Sequence, residues 1–121
     1  MKFYASLEVS PQALADLMIT ALEGGCNYWL DSFITEHSLK DPAPWLNLPI
    51  RVEYILSAES DDEEPVTEVK LIEKADVDRA LARVAQHRYA SYDSTDKCFD
   101  HDAWVADSFL QVLLLGEEVY G

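Results

Sequence analysis

The stretch from Ala103 to Leu115 has to lie in the interior of the fold, because it has the spacing of a helix that is apolar on nearly all sides. Asp100 is placed to cap the start of this helix, and Gly116 ends it. Such a helix is stable only when other elements cover most of its surface. The sequence therefore predicts a central, buried helix, with Val105, Phe109, Leu110, Val112, Leu113 and Leu114 as its large apolar side chains.

Two further segments have helical spacing with one apolar face each. Residues 11–22 form the first, with Ser10 as its N-cap and the glycine pair 24–25 as a left-handed end. Residues 77–85 carry the apolar face of the second. The short apolar stretch 28–34 is predicted to form one or two helical turns beneath the first helix.

Three segments alternate between apolar and polar side chains, which is typical of half-buried strands: residues 2–9, 50–57 and 66–72. The last two flank the acidic segment 58–65, which has no apolar side chain larger than alanine apart from a proline ring. We expect these two to form an antiparallel hairpin with a solvated tip. The sheet needs a further strand, and residues 2–9 are the simplest candidate.

The remaining segments are predicted to be loops. Residues 37–49 contain three prolines, which remove backbone donors and favour extended geometry in the residues before them. Residues 90–99 are polar and rich in turn formers. The predicted fold is therefore α+β, with a small antiparallel sheet of about three strands packed against three to four helices. We expect residues 1–121 to form a single globular domain.

Charge restricts the classes of partner that the chain can bind. It has 23 Asp and Glu against 9 Lys and Arg, a formal net charge of -14, and 49% hydrophobic residues, which is enough to build a core. Affinity for nucleic acid depends on Lys and Arg displacing counterions, so we expect no direct nucleic-acid binding and no binding to anionic membranes. A charged partner should be a basic protein.

The sequence also favours a cytoplasmic location in a host cell. No apolar run approaches the roughly 20 residues that span a bilayer, and the first residues lack the apolar stretch of a signal peptide. The two cysteines, Cys26 and Cys98, are then expected to stay reduced.

Sequence signals of catalysis are absent. The chain has no Gly-x-Ser-x-Gly motif, no glycine-rich phosphate loop with a lysine, and no His-Glu-x-x-His helix. Cys98 and His101 have metal-like spacing but would need two distant ligands, so a small buried thiol beside an exposed histidine is the better interpretation. We therefore expect no enzyme, no cofactor and no metal site.

Asp107 is the most informative single polar residue, because it lies in the middle of the apolar last helix, one turn before Gln111. One interpretation is a small polar pocket. The other is that Asp107 and Gln111 are hydrogen-bonded scaffolding for the backbone near the glycine pair 24–25, or that they reach solvent. The full candidate pocket contains Glu23, Tyr28, Trp29, Asp107, Gln111 and Glu117.

Acidic side chains are concentrated around the predicted hairpin, in a run without Lys or Arg. If they share one side of the molecule, they could occupy a groove that normally holds nucleic-acid phosphates. The alternative is a solvated surface that only confers solubility. This candidate acidic patch contains Glu53, Glu59, Asp61, Asp62, Glu63, Glu64 and Glu68, and a second acidic zone runs from Asp93 to Asp107.

Two motifs carry a resemblance to a known group. Residues 21–29 read Ala-Leu-Glu-Gly-Gly-Cys-Asn-Tyr-Trp, and a Phe-Leu-Gln helix at 109–111 is followed by Gly-Glu-Glu-Val-Tyr-Gly at 116–121. These motifs resemble a family of small uncharacterised proteins from phages and other mobile elements. The resemblance implies a mobile-element accessory protein and a shared polar cluster drawn from the candidate pocket residues, but it implies no particular activity.

Three functional hypotheses follow. The first is a non-enzymatic inhibitor of a host defence system, similar to anti-CRISPR proteins, which binds a basic nucleic-acid-binding surface as a nucleic-acid mimic. The alternative is a small-molecule binder that sequesters a nucleotide signal between Tyr28, Trp29 and the Asp107 cluster. The third is a structural interaction module without an inhibitory role. A homodimer is compatible with each if a sheet edge is left uncovered.

Overall fold

Three α-helices and two antiparallel sheets make up the described part of the chain. The computed structural model describes residues 9–26, 28–57, 64–86, 91–93, 98–100 and 102–120. The fold is α+β, as the sequence predicts. Its elements are α1 (Pro11–Thr20), a π-helical turn (Ala21–Gly25), β1 (Leu30–Thr35), a 3-10 turn (Ala43–Leu46), β2 (Ile50–Leu56), β3 (Thr67–Ile72), α2 (Lys74–Gln86), β4 (Ser91–Asp93), β5 (Cys98–Asp100) and α3 (Ala103–Leu115).

Helix α3 is the central element, and this prediction is confirmed. Every residue from Val105 to Leu114 is buried, and α1, the π-helical turn, α2 and β3 all pack against the helix. The predicted cap is wrong, because Asp100 lies in β5 and Asp102 accepts the N–H groups of Trp104 and Val105 at 3.0 and 3.1 Å. Gly116 ends the helix with a φ of 84°, which a glycine adopts without strain.

Helix α1 begins as predicted but ends differently. The Ser10 hydroxyl accepts the N–H of Ala13 at 3.1 Å. The glycine pair 24–25 belongs to a π-helical turn, in which the N–H of Cys26 bonds to the carbonyl of Ala21 at 3.0 Å. The wider turn carries Cys26 into the core, where it is 2% exposed, and brings the following aromatic residues against α3.

The larger sheet has the order β1-β2-β3 and is antiparallel throughout. The predicted strands 50–57 and 66–72 are confirmed as β2 and β3. The predicted helical turns at 28–34 are wrong, because Leu30–Thr35 pairs with β2 as β1. Periodicity does not separate a short apolar strand from a helical turn, and here pairing with β2 decides the form. Of the predicted strand 2–9, residues 2–8 lie outside the described residues.

The two faces of this sheet have different surroundings. Val52 and Tyr54 of β2 point into the core, together with Ile72 of β3. Side chains alternate along a strand, so Ile34 and Val69 lie on the opposite face, where they are 54% and 55% exposed. Among the described residues, the helices therefore cover only one face of the sheet.

The two predicted loops differ in outcome. Residues 37–49 connect β1 to β2, and Trp45 in the 3-10 turn anchors them by donating its indole N–H to the carbonyl of Leu39 at 3.0 Å. The predicted turn region 90–99 instead contains β4 and β5, which pair with each other. Three-residue strands are too short to show alternation, so their pairing was not predictable from the sequence. Within the described ranges, no helix is long and apolar enough to span a membrane.

A buried carboxylate joins β3 to α2. Asp76 accepts the backbone N–H of Glu73 at 2.9 Å and pairs with Lys70 at 3.0 Å and Arg79 at 3.2 Å. Burial alone would raise the pKa of Asp76, but the Glu73 N–H and the two cations outweigh it and lower the pKa below its ordinary value of 3.8. The ionised form therefore stabilises the fold.

We predict that Asp76→Asn lowers the free energy of unfolding by about 2 kcal/mol near neutral pH, because hydrogen bonds to a charged group are lost. The folded-state pKa lies below the unfolded one, so this contribution is present above pH 3.8 and is lost as the pH falls through the folded pKa. Urea denaturation of both proteins at several pH values measures it.

The matched control is Asp78→Asn on the same helix, whose exposed pair with Lys74 should contribute less than about 0.5 kcal/mol. Equal losses for the two variants, or a difference between Asp76→Asn and the unmodified protein that does not shrink in acid, would contradict the assignment.

Candidate functional site

The candidate site is centred on Asp107, which α3 places inside the core with 8% of its surface exposed. The chain leaves the π-helical turn directly opposite this carboxylate. Trp29 donates its indole N–H to Oδ1 at 2.6 Å, and the Tyr28 hydroxyl donates to Oδ2 at 2.5 Å. Both carboxylate oxygens are therefore occupied by donors from one dipeptide, as a buried carboxylate requires.

Gln111 lies one turn further along α3 and is fully buried. Its Oε1 accepts the backbone N–H groups of Val119 and Tyr120, each at 2.8 Å, and its Nε2 donates to the Tyr120 carbonyl at 2.9 Å. Nε2 also lies 3.2 Å from Asp107. The side-chain amide thus bonds both the N–H and the C=O of Tyr120, the two groups that a neighbouring strand would bond in a sheet.

Aromatic stacking closes the cluster. The rings of Trp29 and Tyr120 stack with centroids 5.6 Å apart and planes within 10° of parallel. Among the described residues, every buried side-chain nitrogen and oxygen has a hydrogen-bond partner. Val119 and Tyr120 therefore lie against Gln111 and Trp29 beside Asp107, and the cluster is a satisfied hydrogen-bond network that fastens the 117–120 segment to α3.

A second contact fastens the same segment. Glu118 accepts the hydroxyl of Ser108, and it also pairs with Arg83 of α2 at 2.9 Å. Helices α2 and α3 are thereby joined through the segment. Glu118 and Tyr120 belong to the motif at 116–121 but not to the candidate pocket predicted from the sequence. The polar and aromatic side chains of this motif, close after the buried helix, are the signal that points to them.

Two predicted members of the pocket lie elsewhere. Glu23 is exposed on the π-helical turn and pairs with Lys40 at 3.2 Å. Glu117 is exposed at the start of the segment whose next residues dock on α3. Both belong to the motifs that predict the pocket, but the π-helical turn and the turn after Gly116 direct their neighbours, Tyr28, Trp29 and Tyr120, toward the cluster instead.

Burial suppresses the acid chemistry of this cluster. Burial of its hydroxyl raises the pKa of Tyr28, and the hydrogen bond to Asp107 raises it further. Burial together with the charge of Asp107 raises the pKa of the Cys26 thiol to about 11. Neither group is a ready nucleophile or base near neutral pH, because the reactive form of each is the anion.

The candidate acidic patch is divided by the sheet. Cross-strand register pairs Tyr54 with Glu68 and Glu53 with Val69, so Glu68 lies on the helix-covered face and Glu53 on the opposite face. Glu53 also pairs with Arg51 at 3.1 Å. Glu64 is exposed just before β3. Glu59, Asp61, Asp62 and Glu63 lie outside the described residues.

Basic side chains are neutralised within the protein. All six Lys and Arg of the described residues form ion pairs with carboxylates: Lys40, Arg51, Lys70, Lys74, Arg79 and Arg83. Exposed carboxylates remain on several elements, namely Asp16, Asp31, Glu36, Asp41, Glu64, Glu68, Glu73 and Glu117. The described surface is therefore suited to cations and opposed to phosphates.

An open groove of about 610 Å³ lies along the β1–β2 connection, away from the Asp107 cluster. Its polar side chains include Glu36, His37, Asp41, Asn47 and Arg51, and Ile50 with two prolines supplies apolar surface. The sequence did not single out this groove, because it forms only when the proline-containing loop folds against the start of β2. Its volume is that of a small-molecule site.

Neither metal ligands nor relatives give a direct assignment. Within the described ranges, no three His, Cys, Asp or Glu side chains are grouped so as to hold a metal ion. Compared with known proteins, the chain matches no family model, no curated protein and no solved structure.

We predict that Gln111→Leu releases the 117–120 segment and lowers the free energy of unfolding by about 2–4 kcal/mol, because several backbone groups lose their buried partner. Hydrogen exchange at the amides of Val119 and Tyr120 should accelerate, and urea denaturation gives the energy. Gln12→Leu, which removes an exposed amide bonded to Asp16, is the matched control and should change stability little. Unchanged exchange in Gln111→Leu would contradict the anchoring role.

Proposed function

We propose that this protein is a non-enzymatic binding protein whose target is a basic protein surface. One observation carries the proposal: with a net charge of -14, all six described basic side chains are paired internally. A target rich in Lys and Arg would meet exposed carboxylates with few competing cations. Such complementarity mainly accelerates association and selects the partner.

The kind of target follows from the same charge argument. Surfaces rich in Lys and Arg are typical of proteins that bind nucleic acid, since such proteins must neutralise phosphates. The resemblance of the chain to mobile-element proteins supports a nucleic-acid-binding component of a host defence system as the target. Inhibition would then occur by occlusion, with carboxylates of this protein taking the place of phosphates, including those of Glu59, Asp61, Asp62, Glu63 and Glu64.

We predict that the tagged protein captures nucleic-acid-binding proteins from nuclease-treated host lysate at low salt and loses them at raised salt, because screening weakens contacts between exposed charges. Added DNA should compete for the same proteins. Mass spectrometry of the eluates at both salt concentrations identifies them. Recovery of the protein alone under both conditions would contradict the proposal.

Two matched variants then test which part of the surface binds the target. Replacing Asp61, Asp62, Glu63 and Glu64 by lysine should abolish capture. Making the same change in net charge elsewhere, at Asp16, Asp31, Glu73 and Glu117, should weaken capture less. Equal losses would indicate that overall charge, rather than the hairpin tip, is recognised.

The groove favours a second candidate, a small-molecule binder. Glu36 and Asp41 line it, while Arg51 is already paired with Glu53, so nucleotide phosphates fit its charge poorly. An uncharged or cationic ligand of small-molecule size fits better. The Asp107 cluster, which the sequence suggested for this role, is filled by the 117–120 segment.

We predict for this candidate that a ligand raises the melting temperature of the protein in a thermal-shift screen, through mass action, while nucleoside phosphates do not. Ala43→Trp should block the groove and remove the shift, because Ala43 lines it. Ala75→Trp, at an exposed position of α2, is the matched control and should retain the shift. A shift that survives Ala43→Trp would place the ligand elsewhere.

A further inference from the structure

Strand β3 forms an edge of the larger sheet and is poorly covered. In the described chain, β2 pairs with one side of β3 and no strand pairs with the other. Val69 and Leu71 are 55% and 47% exposed on the face away from the helices, and on the covered face only Ile72 is buried. The unpaired N–H and C=O groups of such an edge favour the addition of another strand.

We propose that this edge is a homodimer interface, in which β3 of a second copy pairs antiparallel with β3 about a two-fold axis through Val69. The two three-stranded sheets would then form one continuous sheet of six strands. This inference is independent of the proposed function, since it concerns a second copy of the chain and not the basic target.

Geometry restricts the register of this pairing. A two-fold axis perpendicular to the sheet keeps each face on its own side, so a residue can oppose only residues of its own face. The axis must therefore pass through a residue position. For a strand of six residues, Thr67–Ile72, the overlap is longest when the axis passes through Val69 or Lys70.

Charge then selects between these two registers. An axis through Lys70 would place the two lysines directly opposite each other, which is unfavourable. An axis through Val69 places Glu68 opposite Lys70 of the second copy, twice by symmetry, and Val69 opposite Val69. The outer face would also place Leu71 opposite Thr67. Of the two registers, only this one makes the strand self-complementary in charge, with Val69 against Val69 on the outer face.

The surroundings of β3 are compatible with a second copy. Glu68 and Lys70 lie on the face that the helices cover, but Glu68 is exposed and Lys70 is only partly buried, so this part of the face stays open to solvent. Lys70 contacts Asp76 in one copy at 3.0 Å, and its ammonium group has three donors with which to bond Glu68 of the other copy as well. The interface also balances its own charges, which matters because each copy carries a net charge of -14.

Cysteine cross-linking tests both the dimer and its register. In a Cys98→Ser background, Val69→Cys should form a disulfide dimer on mild oxidation, because directly opposed Cβ atoms lie roughly 4.5–5.5 Å apart. Leu71→Cys is the matched control and should not cross-link, since its opposite residue is Thr67. The double variant Thr67→Cys with Leu71→Cys should cross-link again. Non-reducing gels give the yield of each.

A charge swap provides the second measurement, by light scattering across a dilution series. Glu68→Lys should raise the dissociation constant of the dimer by about tenfold, since two attractive pairs become repulsive. Glu64→Lys makes the same change in net charge outside the paired strand and, as the matched control, should leave the dissociation constant nearly unchanged. A monomeric unmodified protein together with an uncross-linked Val69→Cys variant would overturn the proposal, and the edge would then belong to residues 2–9 or to another protein. Equal cross-linking at positions 69 and 71 would overturn the register.

Discussion

The buried carboxylate of Asp107 is the interaction on which the arrangement of the other elements depends. A charge in the core of α3 is tolerated only if donors reach both of its oxygens, and Tyr28 and Trp29 supply them. To present two consecutive side chains there, the chain must turn sharply after α1, and the π-helical turn does so. The same turn fixes where β1 starts, so the position of the sheet follows from the hydrogen bonds in the core.

The Asp107 cluster is a poor candidate for a ligand site, which makes the surface the better one. Gln111 and Tyr120 complete its hydrogen bonds and its aromatic packing from within the chain. A site whose polar groups are all satisfied by its own protein offers a ligand little free energy, because a ligand would have to replace bonds that already exist. Recognition of a partner would then depend on groups that face solvent, and in the described part of the chain the exposed charged groups are predominantly carboxylates.

Much of the fold could be predicted from the sequence, and the failures share a physical cause. The central helix and the hairpin strands have long, regular patterns that only one structure satisfies. The predicted helical turns at 28–34 and the predicted loop at 90–99 are wrong, because strand pairing decides the form of both segments and a short pattern does not reveal it. For the site, Asp107 stands out as a charge in an apolar helix, and Tyr28 and Trp29 are correctly predicted beside it. Glu23 belongs to the same motif as these two but pairs with Lys40 instead. The contact of Tyr120 with Gln111 and Trp29 cannot be predicted without the direction of the chain after Gly116, which a sequence pattern does not give.

Charge also separates the two kinds of association that the surface can support. Across most of the described surface, carboxylates outnumber cations, and two copies approaching there would repel each other. On β3 the order Glu68-Val69-Lys70 balances itself under two-fold symmetry, so like molecules can approach along this edge. The proposed basic target would be attracted to the remaining surface by the excess of carboxylates. Self-association and target binding would therefore use different parts of the molecule, and a dimer would present two acidic surfaces instead of one.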